Sequence, residues 1–435
     1  MPRTRFSGNP PGNLPDLVFD AAPAPTLRRE TAWLAAIVLA GLLARIATVV
    51  LLDIAPISDF AEYRQMALNL LAGHGLVDTM GNRAMYNAGY PLFVLAPAFA
   101  LFGPGLLAAQ LANALLGAAG IALCHAVARE AGAGRGGRLL AAAFWAAYLP
   151  SWIYAEYLAK ENLMTPLMLG VLWCALRLAR QPSLRVAGVC GLLFGLLAIT
   201  GNSALALVAV AACALLIAPG GARRKLPLAA AALLAALAVA APWLLRNLDA
   251  VGAPVLNTNG GFNLYLGNNP AADGLFMSIA DTPRGASWEA LRRQGEQQAS
   301  QTLGREAAQW IREHPADFAM LAARKALLFW SPPTHAGQGP GSALETASRR
   351  IWLAQYLLLA ALALAGLALP EMRTRQCALQ ALALAAYTAV HMLFFVVFRY
   401  REPLMPILCI VGALVAEVLW QRVTAKKQRV FSSRD

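Results

Sequence analysis

Asp59 and Glu62 stand three residues apart in SDFAEYRQMALNLL, the spacing that puts two carboxylates on one face of a helix. Partial desolvation raises the basicity of a carboxylate, so an Asp59 held at a membrane boundary can take a proton from an attacking hydroxyl. It can equally cap the helix that starts beside it. Glu156, Lys160 and Glu161 gather in AEYLAKEN, where Glu161 suits the positive end of a helix dipole and Lys160 is a neighbour able to neutralise it. Either glutamate, if it faced Asp59, could share a proton with it or help hold Mg²⁺ or Mn²⁺, ions that prefer oxygen ligands. Arg246, Arg399 and Arg401 carry guanidinium groups, which grip phosphate oxygens two at a time and stabilise charge growing on a departing phosphate. Taken singly, each is also a plausible helix anchor at a membrane surface. Asn259, Asn263, Asn268 and Asn269 sit among Gly260, Gly261 and Gly267 in LNTNGGFNLYLGNNP. They read either as turn chemistry or as amides placed against a sugar. Tyr63, Tyr90, Asn202, Asn247 and Tyr400 complete the candidate substrate contacts.

Such residues need elements to position them, and composition says where those elements lie. The 435 residues carry a net charge of +13 but only 14% charged side chains, against 58% hydrophobic ones. With a mean hydropathy of +0.53, there is too little polar surface for an ordinary soluble enzyme. Apolar runs predict about ten membrane helices, over 32–52, 104–128, 138–155, 161–179, 184–199, 203–218, 226–244, 351–369, 376–397 and 403–420. The excess of Arg and Lys falls in short connections, such as Arg129 to Arg138, Arg177 to Arg185 and Arg223 to Lys225. That placement marks a cytoplasmic side rather than a nucleic-acid footprint, and it puts both termini inside.

The expected organisation is a disordered tail over 1–31, a transmembrane module over 32–244 with a first outer loop at 53–103, an outer subdomain over 245–350, C-terminal membrane helices over 351–421 and a basic tail over 422–435. The first loop should hold a helix lying on the membrane surface, and the second a solvated amphipathic helix. Six cysteines in or beside apolar runs predict neither a disulfide nor a zinc site. The five histidines lack ligand-like spacing, and no Walker loop or GxSxG pattern occurs. In this register, nearly every polar residue that needs explaining maps to the outer ends of helices or to the two outer loops. Arginines there run against the orientation rule, and an anionic ligand would account for them.

The runs SDFAEYRQMALNLLAGHGL, AGYPLFVLAPAFALFG, PWLLRNLDAVGAPVLNTNGGFNLYLGNNP, REHPADFAMLAARKALLFWSP and FRYREPLMPILCIVGAL together resemble, in order and over nearly the whole chain, the family 39 type of GT-C membrane glycosyltransferase. This is the group of protein O-mannosyltransferases and of the aminoarabinose transferase that acts on lipid A. The resemblance implies an all-α integral membrane fold, a GT-C-like bundle with surface helices in its first outer loop and a cavity open to the outer leaflet. It implies transfer of a sugar from a polyprenyl-phosphate donor to a hydroxyl of a lipid, glycan or protein acceptor, with inversion, at the periplasmic face of a bacterial inner membrane. Membrane lipids are the other expected partner, and nucleic acid is not. By position, Asp59 matches the family's first-loop acid and Glu161 a second acidic position, with Arg246 and Arg399 or Arg401 meeting donor phosphate. Two positions depart from the pattern: Ser58 stands where many relatives carry a second acid, and Asn202 and Ser203 where many carry Arg-Pro. A flippase for a lipid-linked sugar is the competing reading. It calls for helix breaks in paired halves and internal symmetry, neither of which is evident.

Overall fold

The computed structural model describes residues 24–332 and 342–432. Its helices follow the apolar runs. Helix α1 (Ala24–Leu51) leads to a first loop that holds α2 (Asp59–Leu71) and α3 (Ala96–Phe102), the latter preceded by a single wide turn at Pro91–Leu95. Then come α4 (Leu106–Glu130), α5 (Arg135–Ala147), α6 (Leu149–Glu156), α7 (Glu161–Arg180), α8 (Leu184–Thr200), α9 (Val208–Ile217) and α10 (Ala222–Val251). The second loop folds into α11 (Gly260–Gly267), α12 (Trp288–Arg292), α13 (Glu296–Glu313) and α14 (Pro315–Trp330), before α15 (Ala343–Ala368), α16 (Arg375–Met392) and α17 (Met405–Ser432) close the chain. Among the described residues there is no strand, only an isolated bridge from Leu275 to Val396.

Among the described residues, six helices are long and apolar enough to cross a membrane: those at Arg28–Leu51, Leu106–Glu130, Glu161–Arg180, Ala222–Val251, Ala343–Ala368 and Phe398–Lys426. The other four expected spans also coincide with helix, in shorter or interrupted form. The run 138–155 breaks into α5 and α6 at Tyr148, which is extended at ψ 108°. Pro150 accounts for the break, because it cannot supply the N–H that an uninterrupted helix needs and its ring would collide with the carbonyl of Ala146 one turn earlier. The run 203–218 opens as a 3-10 turn over Asn202–Leu207. Both expected tails need correction. Helix α1 already begins at Ala24, with Pro25 in its first turn, where a missing N–H costs nothing; residues 1–23 lie outside the described residues. At the other end α17 continues to Ser432.

The bundle turns leucines outward, among them Leu39, Leu43, Leu233, Leu234 and Leu364, all well exposed. Its interior is built from α4, α5, α7, α16 and α17, where Met168, Leu172, Ile407 and Ile410 are fully buried. An apolar outer surface and a filled centre are what lipid contact requires. Helices α8 and α10 approach closely because Gly191 has no side chain; a Cβ there would stand 2.0 Å from the carbonyl oxygen of Ala232. Two smaller cores position the loops. Tyr63, Met66 and Ala67 of α2 pack with Tyr90, Leu95 and Phe99, and Tyr265, Leu291, Leu303 and Ala307 form the heart of the second loop. Glu296 clasps the two loops together. Its carboxylate accepts N–H bonds from Arg83 at 2.7 Å and Ala84 at 3.1 Å, and the hydroxyl of Thr258 at 2.6 Å.

Candidate active site

Helix α2 starts at Asp59 because the chain turns sharply at Ser58, whose φ of 49° and ψ of −132° lie where only glycine is unstrained. The buried stripe of Tyr63, Met66 and Ala67 orients the helix. This leaves Asp59 half-buried at the rim of the bundle, 28% exposed. Arg399 comes to it from a 3-10 turn at Phe398–Leu404, some 340 residues further along the chain, and ion-pairs with its carboxylate. The Nε of the same guanidinium is 3.9 Å from Oε1 of Glu161, which is buried at the first turn of α7. Arg399 lies over the rings of Phe60 and Tyr400, at 5.3 and 5.6 Å, so its orientation is set by aromatic faces as well as by charge.

Lys160 precedes Glu161 and donates to Oδ1 of Asn87 at 3.1 Å. Burial lowers its pKa from the ordinary lysine value, and the neighbouring Glu161 opposes that shift. The phenol of Tyr63 is pushed well above its ordinary value, first by burial and then by the carboxylates of Asp59 and Glu161. Tyr90 is also buried and raised, and donates its hydroxyl to Asn113 at 2.8 Å. It therefore stands behind the site as a support.

Two cavities meet at the Arg399 turn. A polar one of about 170 Å³ is lined by Asn87, Lys160, Glu161, Asn202, Ser203, Asn259, Asn263, Tyr387, His391 and Tyr400. A largely apolar groove of about 320 Å³ is lined by Leu149, Pro150, Ile153, Tyr154, Tyr157, Trp352 and Phe398, with Glu345, Arg349, Arg399 and Glu402 as its charged members. Successive residues of one turn thus serve both spaces, Arg399 the groove and Tyr400 the polar cavity.

The remaining sequence candidates are engaged elsewhere. Arg246 donates to the backbone oxygens of Arg83 at 2.6 Å and Leu76 at 3.4 Å and stacks on Trp243, tying α10 to the first loop. Arg401 is completely buried, donates to the carbonyls of Phe329 and Ser331, and faces Tyr356. Arg401 satisfies carbonyls at the end of α14 and Arg246 carbonyls within the first loop, which is why neither joins Asp59. Glu156 accepts the N–H of Ile54 at 3.1 Å and fixes the exit of α1. Asn247 donates to Val255, and Asn269 to Tyr265. Asn268 donates to Leu264 and Leu393 while accepting from Lys325 at 2.9 Å. These three asparagines are wholly buried scaffold.

Sequence reasoning passed over Asn87, Ser203, Tyr387 and His391 as cavity residues. The only local signal for them was position: each falls within a few residues of an outer helix end. Among the described residues, no group of three or more His, Cys, Asp or Glu gathers as a metal centre.

The family described as dolichyl-phosphate-mannose-protein mannosyltransferase matches residues 90–245, and no curated protein sequence matches the chain. In fold the chain is similar to the archaeal oligosaccharyltransferase AglB from Archaeoglobus fulgidus, solved with an inhibitory peptide and a dolichol-phosphate. The identity is 11% and the TM-score 0.53, over 92% of this chain and 52% of that one; the chain therefore spans about half of AglB. ArnT from Cupriavidus metallidurans bound to undecaprenyl phosphate aligns with a TM-score of 0.44 and 14% identity, over 89% of this chain and 78% of its own. The all-α membrane architecture is thus similar to that of AglB.

Proposed function

We propose that this chain is a GT-C membrane glycosyltransferase that takes a sugar from a polyprenyl-phosphate donor and passes it to an acceptor hydroxyl with inversion. The observation that carries this reading is the position of Arg399, between two carboxylates and at the junction of an apolar groove with a polar cavity. The groove, apolar over most of its surface and carrying Arg399 and Arg349 for an anionic head group, suits an isoprenoid phosphate. The polar cavity is smaller than the roughly 300–1,000 Å³ typical of drug-sized ligands, and its amides, hydroxyl and lysine suit a single sugar unit.

In the reaction, the acceptor oxygen attacks the anomeric carbon of the donor. The bond from that carbon to the phosphate oxygen breaks, and its electron pair leaves with the phosphate. The hydroxyl proton passes to the Asp59 carboxylate. Arg399 meets the phosphate with two N–H groups as negative charge builds on it. Glu161 holds the guanidinium from the other side, and Lys160 adds positive charge at the cavity wall.

A divalent cation fits these donors poorly. Asp59 and Glu161 already face one guanidinium, and among the described residues no three carboxylate, histidine or cysteine groups converge closely enough to hold an ion. Charge stabilisation is therefore assigned to Arg399 and Lys160. The basic connections lie at the opposite end of the bundle, which supports an extracytoplasmic site, on the periplasmic side if the membrane is a bacterial inner membrane, with both ends of the chain inside. A lipid-linked donor suits that side, since it dispenses with nucleotide sugar there.

The test is sugar transfer from radiolabelled polyprenyl-phosphate sugars by the purified chain in detergent. Asp59→Asn is expected to lower the rate about 10²- to 10⁴-fold with unchanged thermal melting. Equal transfer by the variant would remove Asp59 from its role.

A further inference from the structure

Outside the catalytic cavity, the second loop and the tip of the first enclose an open polar groove of about 650 Å³. Arg83, Arg293 and Arg305 line it, and among the described residues none of the three has a carboxylate within ion-pair distance. The acid in this wall, Glu296, is already committed, since its oxygens accept from Arg83 N, Ala84 N and the Thr258 hydroxyl. A fourth arginine, Arg292, is balanced by Glu289 at 2.9 Å. The groove thus carries unneutralised positive charge at the end of the bundle where the orientation rule disfavours it. Like charges crowded in a concave wall repel one another unless a ligand compensates them. All three side chains are arginines, whose planar forks match carboxylate and phosphate oxygens. Between them stand glutamines, Gln297 and Gln301 among them, whose amides both donate and accept and so match a run of sugar hydroxyls. The apolar lining amounts to little more than Met80, Ala250 and Val251, which gives a peptide side chain no pocket to fill.

From this geometry we infer that the groove binds an anionic saccharide and is the approach path of the acceptor. The second half of that statement rests on the glycosyltransferase reading; the first does not. Continuity supports the path. Glu296 holds Thr258, the residue before Asn259 of the catalytic cavity, and it holds Ala84, three residues before Asn87 of the same cavity. A saccharide lying in the groove therefore needs to cross only the Glu296 clasp for its end to reach the sugar cavity.

The measurement is direct binding to the full chain in detergent, with no donor present. The probes are fluorescent oligogalacturonate and phosphorylated mannopentaose, with neutral maltopentaose, oligoglutamate and phosphatidylglycerol vesicles as comparisons. At least one anionic saccharide is expected to bind well above maltopentaose and to weaken as salt rises. Changing Arg83, Arg293 and Arg305 together to Gln is expected to weaken it about tenfold. Gln297→Ala with Gln301→Ala should weaken the saccharide but leave oligoglutamate unchanged. The arginines are exposed, and Arg293→Gln and Arg305→Gln alone provide milder variants should the triple change unfold the loop.

Binding of neither anionic saccharide, undiminished binding by the arginine variants, or equal binding of oligoglutamate or vesicles would overturn the assignment. Transfer that depends on Asp59 together with no saccharide binding removes the groove and keeps the enzyme; the reverse pair of results removes the enzyme and keeps the groove.

Discussion

The two ends of the bundle use the same side chains for different ends. At the end with the basic connections, the acids tie helices to one another. Glu30 pairs with His125 and Arg138, Glu130 with Arg177 and Arg180, and Glu417 accepts the N–H groups of Gly134 and Gly137 at the start of α5. Only the Glu417 contacts satisfy groups that a helix start leaves open; the others are ion pairs that hold neighbouring helices together. At the opposite end one guanidinium serves two carboxylates and lines the groove, while Lys160 and Glu161 beside it line the polar cavity. An ion pair by itself therefore says little about function. What separates the ends is whether the charges tie helices together or face an open space.

Four substitutions bear on that contrast. The largest expected effect is at Arg399. Arg399→Lys keeps the charge but loses the fork and the stacking on Phe60 and Tyr400, and transfer should fall about 10²- to 10³-fold in the radiolabel assay. Near-normal transfer would reduce the outer cluster to the status of the inner one. Next is Lys160, whose pKa is lowered by burial, so that its charge is lost at a lower pH than an ordinary lysine's as pH rises. Transfer should decline on that alkaline limb, and Lys160→Met should be slower at neutral pH and lack the limb. Over the same window the unfolded chain binds the extra proton, so folded stability rises with pH while activity falls.

At the basic-loop end, Glu130→Gln should leave transfer unchanged and cost about 1–3 kcal/mol of stability, read by thermal melting. A loss of transfer without a loss of stability would erase the distinction between the ends. The smallest effect is at Ser58, where glycine would relieve the strained backbone beside Asp59. Ser58→Gly should raise stability by about 1 kcal/mol at most, since glycine's greater freedom in the unfolded chain offsets part of the relief.

Much of this was legible in the sequence because the signals are local. Apolar runs predict helices, basic clusters predict one end of the bundle, and polar residues such as Asp59, Glu161 and Arg399 stand out against an apolar background. Which arginine meets Asp59 was not legible. Arg399 and Arg401 lie two residues apart on a turn with about three residues per revolution, so they point in different directions. Only the packing of α14 and α15 determines that Arg401 is the one enclosed. Arg246 sits in a striking motif, yet its partners are carbonyls of a loop more than 160 residues away. Asn268 and Asn269 looked like sugar contacts because amides that bind sugars and amides that stitch turns share one composition. His391 was set aside for lack of a ligand partner, whereas its role in lining the cavity depends on how α16 meets α7.

The contact between Arg399 and Asp59 also fixes an order of events. While they are paired, the carboxylate is neutralised and turned away from any incoming alcohol. A lipid phosphate arriving at Arg399 competes for the same N–H groups and sets the aspartate free. Steady-state kinetics should then be sequential with the lipid substrate leading, and an alcohol offered in excess without it should find no activated partner.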